Sequence, residues 1–374
     1  MTDLYRPLRS LEQGTWFKLI CGASFQHLPA VRNLALAYTL AGADCIDVAA
    51  DPAVIYAAQT ALQTAGELVG LARLNDFRID GLPWLMVSLN DGEDPHFRKA
   101  EFDPRYCPTD CLRPCERVCP AEAIVFSRDS FSGVIDNRCY GCGRCIPICP
   151  SQQISTRSYV FTPSAVAPLV LSGVDAVEIH TQIGRLSDFK RLWEEITPFL
   201  PELKLIAISC PDGAGLVDYL WALHDLITPL PCSLVWQTDG RPMSGDIGDG
   251  ATLAAVRLGQ KVLAAGLPGY VQLAGGTNRY TVSKLKSVGL LKQSNSSAYV
   301  AGIAYGSYAR TLLSPILERL AGGDRNDLSS ETGESQSNLW LEESDLLWEA
   351  VSLAQSLVAP LKMQTNSPVL PVLE

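Results

Sequence analysis

The sequence predicts an α/β fold, a (β/α)8-type barrel into which a small cysteine-rich module is inserted. Three observations carry that expectation. Short apolar runs alternate with helical patterns along most of the 374 residues. The phrase Ala-Gly-Ala-Asp-Cys-Ile-Asp at 41–47 returns as Ser-Gly-Val-Asp-Ala-Val-Glu at 172–178, a repeated turn in which glycine ends a helix and an apolar run enters a sheet. Eight of the 12 cysteines crowd into residues 107–149, and they interrupt the alternation after the third apolar run.

The strand candidates, in order, are Phe17–Ala23, Ala43–Ala49, Leu82–Leu89, Asp175–His180, Lys204–Ser209, Ser233–Gln237, Gly269–Leu273 and Tyr299–Ala304. Several are apolar throughout, as expected of parallel strands covered on both faces. Helical spacing of apolar residues falls between them, at Pro29–Leu40, Pro52–Ala65, Leu186–Phe199, Leu216–Ile227 and Ala251–Ala265. Residues 16–320 without the segment 101–157 number 248, and a plain barrel needs about 250. The expected organisation is a barrel domain over 15–322, a ferredoxin-like insert over 101–157, a polar, acidic linker over 323–338, and a C-terminal helix and tail over 339–374. An open, doubly wound sheet carrying the same module is the alternative, because periodicity alone does not close a barrel. The apolar spacing from Trp340 to Leu361 marks a helix that either docks on the barrel or meets a partner.

Composition narrows the classes. The chain is 47% hydrophobic, enough for a large core, and its net charge of -10 leaves no electrostatic footprint for nucleic acid. No apolar run reaches the ~18 residues that would suggest a membrane span. The start, MTDLYRPLRSLEQG, has no apolar h-region, so a cytoplasmic protein is expected.

The cysteines form two sets, each ending in Cys-Pro. Cys139, Cys142, Cys145 and Cys149 follow the x2, x2, x3 spacing that wraps a chain around a [4Fe–4S] cube. Cys107, Cys111, Cys115 and Cys119 have x3 in every gap, one residue more in each of the first two. That set could seat a [4Fe–4S] or a [3Fe–4S] cluster. The duplication extends beyond the thiols, since Cys119-Pro-Ala-Glu-Ala-Ile124 and Cys149-Pro-Ser-Gln-Gln-Ile154 occupy equivalent places. In two-cluster ferredoxins the cysteine before proline serves the other cube. The expected sets are therefore Cys107, Cys111, Cys115 and Cys149 for one cluster, and Cys139, Cys142, Cys145 and Cys119 for the other. Zinc is the rival, but its ligands usually come as two separated pairs. Disulfides would require an oxidising compartment.

Other candidates are weaker. Asp47, Asp51, Asn90, Glu178, His180, Asp212, Asp239 and Arg241 would ring a barrel mouth. Glu178 and His180, two apart on a strand, would point the same way, either for proton chemistry or as a structural pair. Gly275 and Gly276 after the seventh run, and Gly302 and Gly306 in and after the eighth, would suit a phosphate or flavin at the corner where barrels often bind one. Glycine is equally the residue of any tight turn. Cys21, Cys45, Cys210 and Cys232 lie on or beside strands and read as small buried hydrophobes. No HExxH, GxSxG or Walker motif is present.

The stretches FKLICGASFQHLP, GADCIDVAADP and VWQTDGRPMSGDIGDG, with the paired cysteine motifs, resemble the cyanobacterial light-dependent period protein family over essentially the full length. The resemblance implies iron–sulfur clusters, quinone binding and action in the redox input to the Kai circadian clock. The implied partners are Kai clock proteins and the circadian input kinase. Two classes of function remain: a redox sensor, and a barrel oxidoreductase in which the clusters feed a flavin or small substrate at the mouth.

Overall fold

The computed structural model describes residues 6–21, 28–77, 79, 81–92, 98–119, 122–127, 132–135, 139, 145–158, 167–168, 170–240, 248, 250–293, 298–322 and 340–363. The strands are β1 (Trp16–Ile20), β2 (Cys45–Ala49), β3 (Trp84–Asn90), β4 (Arg98–Glu101), β5 (Ile124–Val125), β6 (Gly133–Val134), β7 (Ser155–Ser158), β8 (Ala176–His180), β9 (Leu205–Pro211), β10 (Ser233–Asp239), β11 (Tyr270–Ala274) and β12 (Gly302–Tyr305). Eight of them close into a parallel barrel in the order β1-β12-β11-β10-β9-β8-β3-β2, so the open-sheet alternative is set aside. Gly22 and Ala23, at the end of the first strand candidate, lie outside the described residues.

The helices, in order, are α1 (Arg6–Gln13), α2 (Leu28–Leu40), α3 (Pro52–Leu74), α4 (Pro114–Val118), α5 (Cys145–Ile148), α6 (Leu186–Ile196), α7 (Leu216–Ile227), α8 (Thr252–Ala264), α9 (Thr281–Ser287), α10 (Ser307–Gly322) and α11 (Leu347–Lys362). Helix α3 runs nine residues past the expected Ala65, through Gly66 and Gly70. Asp51 caps its start by accepting the Ala53 N–H at 2.9 Å.

Alternation along the strands divides the core in two. Outward residues such as Phe17, Leu19, Ile46, Val87 and Ile179 pack under the helices. Inward residues Trp16, Cys45, Trp84, Ala176, Leu205 and Val235 fill the lower end of the barrel, with Leu11 of α1 against them. Trp16 and Trp84 meet edge to face at 5.8 Å and form the floor. Gly302 is the reason Trp16 fits, because a Cβ there would stand 2.5 Å from Trp16 Cδ1 and 2.6 Å from its carbonyl oxygen. Gly302→Ala is expected to lower stability by about 1–3 kcal/mol through overpacking, read as a lower urea midpoint. A loss below about 0.5 kcal/mol would show that the floor repacks freely.

The C-terminal segment docks on the barrel. Trp340 lies under the Arg32 guanidinium at 4.4 Å, Arg32 pairs with Glu342, and Trp348 stacks on Phe77 at 5.5 Å. Lys362 of α11 pairs with Asp44 beneath β1 and β2. The apolar pattern from Trp340 is not one helix. A 3-10 turn over Leu341–Glu343 precedes α11, and between them Ser344 is extended and its hydroxyl accepts the Leu346 N–H at 3.2 Å. The linker at 323–338 and the tail beyond Met363 lie outside the described residues.

The cysteine-rich module enters directly after β3. Its two ends are tied by the antiparallel pair β4–β7, and β5–β6 form a second short ladder. Since β3 leads into it, the module stands at the C-terminal ends of the barrel strands, where barrel active sites lie.

Candidate metal centres and barrel mouth

Within the module a small core gathers Ala100, Cys115, Ala123, Ile124, Cys139, Cys145, Cys149 and Ile154. Cys119 packs against it, half buried. Cys107, Cys111 and Cys115 precede or begin α4, and Cys145 and Cys149 bracket α5, which packs on α4. Cys142 lies outside the described residues. Among the described cysteines none is in a disulfide.

The sulfurs are met by hydrogen-bond donors. The Ala100 amide donates to Cys139 Sγ at 3.4 Å, the Arg113 amide to Cys111 Sγ at 3.4 Å, and the Ala123 amide to Cys119 Sγ at 3.2 Å. Cys149 Sγ lies 3.6 Å from Ser151 Oγ. Burial pushes the Cys149 thiol up, but the Ser151 side chain and the amides of Gln153, Ile154 and Ser151 outweigh it and leave its pKa below the ordinary thiol value. Burial, followed by neighbouring thiols, raises Cys107, and the neighbours are Cys111 and Cys149. Burial also raises Cys115, where amide hydrogen bonds oppose it and Cys149 and Cys107 add to it. Cys107 and Cys115 thus share their surroundings with Cys149, and Cys107 also neighbours Cys111. On the other side a backbone path joins Cys119 to Cys139. The Ile135 amide donates to the Ala123 carbonyl at 2.7 Å, and the Cys139 amide to the Ile135 carbonyl at 3.1 Å.

The duplicated Cys-Pro stretches share one uncommon backbone state. Glu122 has φ +49° and Gln152 φ +53°, left-handed at matching positions three residues after Cys119 and Cys149. Among the described residues of the module, Arg113 shares that state with φ +52°, in the x3 gap between Cys111 and Cys115. The guanidinium of Arg113 sits over the Phe126 ring at 4.5 Å, and Phe126 in turn meets Phe102 at 5.6 Å.

This donor set fits iron–sulfur clusters. Free thiols in a small apolar core, met by amide hydrogens, are what a cube's sulfur ligands need. Among the described residues no three His, Cys, Asp or Glu side chains converge as they would around one ion. A cube does not require that, because each thiolate binds a different iron. Beside Cys111 a cavity of about 640 Å3 is lined by Pro108, Leu112, Arg117, Ile148 and Ser151, among others.

The barrel holds a second polar arrangement, whose centre is a residue the sequence reading passed over. Lys18 of β1 is 0% exposed. Its Nζ pairs with Glu178, lies 2.9 Å from Asp47 Oδ2, and donates to Gln237 Oε1 at 3.0 Å. Gln237 Nε2 donates to Glu178 Oε1 at 2.6 Å, Gln272 Nε2 to Gln237 Oε1 at 2.6 Å, and Trp16 Nε1 to Gln272 Oε1 at 2.6 Å. Burial works against the Lys18 ammonium, but Asp47 and Glu178 outweigh it and raise its pKa. Burial likewise pushes Asp47 up to about 6, against the pull of Lys18. A lysine inside the apolar run Trp16–Ile20 was the available signal.

Glu178 and His180 do face the same way, with His180 Nε2 3.0 Å from Glu178 Oε1 and the imidazole 34% exposed at the mouth. The other mouth candidates are dispersed. Asp51 caps α3, and burial raises it to about 6 although Lys99 of the module pulls it down. Asn90 lies level with His180 in the β3–β8 register. Asp212 pairs with Lys261 at 2.6 Å, and Asp239 accepts the Ser209 hydroxyl at 2.8 Å. Arg241 lies outside the described residues. Gly275 and Gly276 both have positive φ, and a Cβ on Gly276 would meet the Ala251 carbonyl at 2.8 Å. Gly302 faces Trp16, as described, and Gly306 lies against Arg310. Cys21, Cys45 and Cys210 are buried and Cys232 half-buried, and burial raises all four thiols. Among the described residues no helix is long and apolar enough to cross a membrane.

Comparison with known proteins adds the family. Residues 107–160 match the model of the LdpA Fe-S cluster-binding domain, and residues 169–360 that of the Light dependent period A C-terminal domain. The protein "Light dependent period A" of Synechococcus elongatus is 52% identical over 357 residues, 95% of this chain and 94% of that one. Among solved structures, Mycobacterium tuberculosis tryptophan synthase aligns at TM-score 0.41 and 12% identity, covering 96% of this chain and 98% of that one. The (S)-3-O-geranylgeranylglyceryl phosphate synthase of Thermoplasma acidophilum aligns at 0.40 and 11%, covering 97% and 99%. Likeness at that level carries nothing about chemistry. With both family models and a full-length relative in agreement, the chain belongs to the light-dependent period A family.

Proposed function

We propose that this chain is a redox-sensing iron–sulfur protein in light-dependent period control, acting in the cytoplasm. In this reading it relays the cell's redox state, through the quinone pool, to the Kai circadian clock by way of the circadian input kinase and other clock-input proteins. The observation that carries it is the cysteine module, in which α4 packs on α5, Cys149 lies among the neighbours of Cys107 and Cys115, and a short backbone path joins Cys119 to Cys139. That arrangement supports crossed ligation. Cys107, Cys111, Cys115 and Cys149 would hold the first cluster, [4Fe–4S] or [3Fe–4S], and Cys139, Cys142, Cys145 and Cys119 a [4Fe–4S] cluster. When bound, such clusters take up and release single electrons. The chain's own residues position the thiolates, point amides at them, and place the cavity beside Cys111, which is of a size to admit an apolar ring such as a quinone.

Replacing Cys142 or Cys145 with Ser is expected to remove the second cluster, seen as loss of iron, sulfide and its EPR signal, and to blunt the response of clock timing to light or quinone oxidants. A serine hydroxyl is a poor iron ligand beside thiolates. His180→Asn, at the exposed end of the mouth pair, is expected to leave timing nearly unchanged, since it removes the proton chemistry there without breaking the buried Lys18–Glu178 pair. If cluster loss is silent and the mouth variant abolishes the response, the sensor reading fails.

A second reading, a barrel oxidoreductase passing cluster electrons to a flavin or small substrate, is favoured by one observation. The charged layer around Lys18 ends in a solvent-facing imidazole at the mouth. Flavin bands in the visible spectrum of anaerobically purified protein would support that reading.

A further inference from the structure

The cavity beside Cys111 has a definite chemistry. Of the four cysteines proposed for the first cluster, Cys111 is the one among its described lining residues, so the cavity lies outside the ring of thiolates and touches it at one edge. Ser151 lines it as well, and its hydroxyl oxygen is 3.6 Å from Cys149 Sγ, so a second sulfur of the set stands behind one side chain. The apolar walls include Leu112 and Ile148, 77% and 44% exposed. Two such side chains facing water across a cleft gain by covering with a flat apolar ligand. The charged lining residues are Arg117 and Asp110. Arg117 is held at the cavity edge, where its Nη2 donates to the Leu112 carbonyl at 3.0 Å, and a guanidinium has further N–H groups to give.

We infer that this cavity is where the module exchanges electrons with a quinone, Arg117 donating to a ring oxygen while Leu112 and Ile148 hold the ring against Cys111. The inference rests on the cluster ligation and the quinone reading proposed above, and it assigns the residues that carry them. Reduction builds negative charge on the ring oxygen; the Arg117 guanidinium stabilises that charge and the Asp110 carboxylate opposes it. The step balances. Each reduced cluster gives one electron, the quinone takes both together with two protons from water, and its two C=O groups become C–OH. Hydroquinone leaves, and both clusters are oxidised.

The test uses the full chain, purified anaerobically with both clusters, and duroquinone as the probe. Equilibrium dialysis with the clusters oxidised reads binding without electron transfer, and stopped-flow absorbance of the reduced chain reads the reaction. Arg117→Leu is expected to raise the Kd about tenfold and to slow oxidation by at least as much, the size of one lost hydrogen bond to a charged group. Leu112→Asp, at an exposed position, is expected to act in the same direction. Arg117→Lys is expected to stay within about threefold of wild type, and Asp110→Asn to speed oxidation by about threefold, as suits an exposed charge. Hexaammineruthenium(III), a cation with no use for an arginine, is expected to oxidise wild type and Arg117→Leu at rates within about threefold of each other. That rate, with iron and sulfide contents equal to wild type, shows the ligation intact, so a failure of the cluster reading is seen separately. A Kd and a duroquinone rate within about threefold of wild type in both Arg117→Leu and Leu112→Asp overturn the inference. So does a wild-type chain that fails to retain duroquinone, which leaves the apolar face to a protein partner.

Discussion

Lys18→Met is expected to destabilise the barrel by about 3–5 kcal/mol at neutral pH, the range for breaking a buried ion pair from one side. Methionine fills much of the same volume, so the loss is electrostatic rather than a cavity effect. It strands Asp47 and Glu178, both at most 1% exposed, without the ammonium that lies between them. Gln237 also loses a donor to its Oε1. Adding Asp47→Asn and Glu178→Gln to Lys18→Met is expected to recover most of the loss, because a layer without charges needs no counter-charge. Urea unfolding followed by tryptophan fluorescence reads this directly, since Trp16 and Trp84 lie just beneath. A single-variant loss under about 1 kcal/mol would mean that water reaches the layer and screens it.

The second large effect is a pH dependence with the opposite sign to that of most carboxylates. Burial raises Asp47 from 3.8 to about 6 in the folded chain. The folded state therefore binds a proton more readily than the unfolded one, and Asp47 adds stability that is fully present below its unfolded pKa. That stability is lost as pH rises through about 6, by up to about 3 kcal/mol at 1.36 kcal/mol per pKa unit. Asp51, also raised to about 6 by burial, acts in the same direction. The check is the difference in stability between wild type and Asp47→Asn across this range. Asparagine cannot titrate and keeps an oxygen for the Ser88 hydroxyl, which reaches Asp47 at 2.8 Å. The wild type is expected to gain on the variant as pH falls from about 7.5 to about 4. A constant difference between the two would refute the raised value.

Much of this architecture was legible in the residues themselves. The strands announce themselves because a parallel strand inside a ring of helices is apolar on both faces, as Leu85–Val87 and Leu205–Ile208 are. The cysteine module is legible because a cube constrains ligand spacing tightly. The charged centre of the barrel was not. Lys18 and Gln272 are single polar residues in apolar strands, Gln237 opens the polar end of a third, and with more than two hundred positions between the extremes only the register of a closed barrel sets them side by side. Glu178 and His180 were visible as a pair because a period of two joins them within one strand. The left-handed turn at Arg113 was hidden for another reason: Leu-Arg-Pro has no glycine or asparagine to signal positive φ.

The β4–β7 pair draws the two ends of the module together within a few residues of β3. For the rest of the chain, the excursion between Glu101 and Ser155 therefore behaves like a much shorter loop. Closure entropy rises only as the logarithm of loop length, about 0.6 kcal/mol per doubling, and a paired neck removes most of even that. The strands on either side can meet without waiting for the metal-binding residues to find their places. In biosynthetic terms, the order of events is expected to be relaxed, with the barrel assembling before iron is received and its frame surviving removal of iron by a chelator, read as an unchanged far-UV circular dichroism.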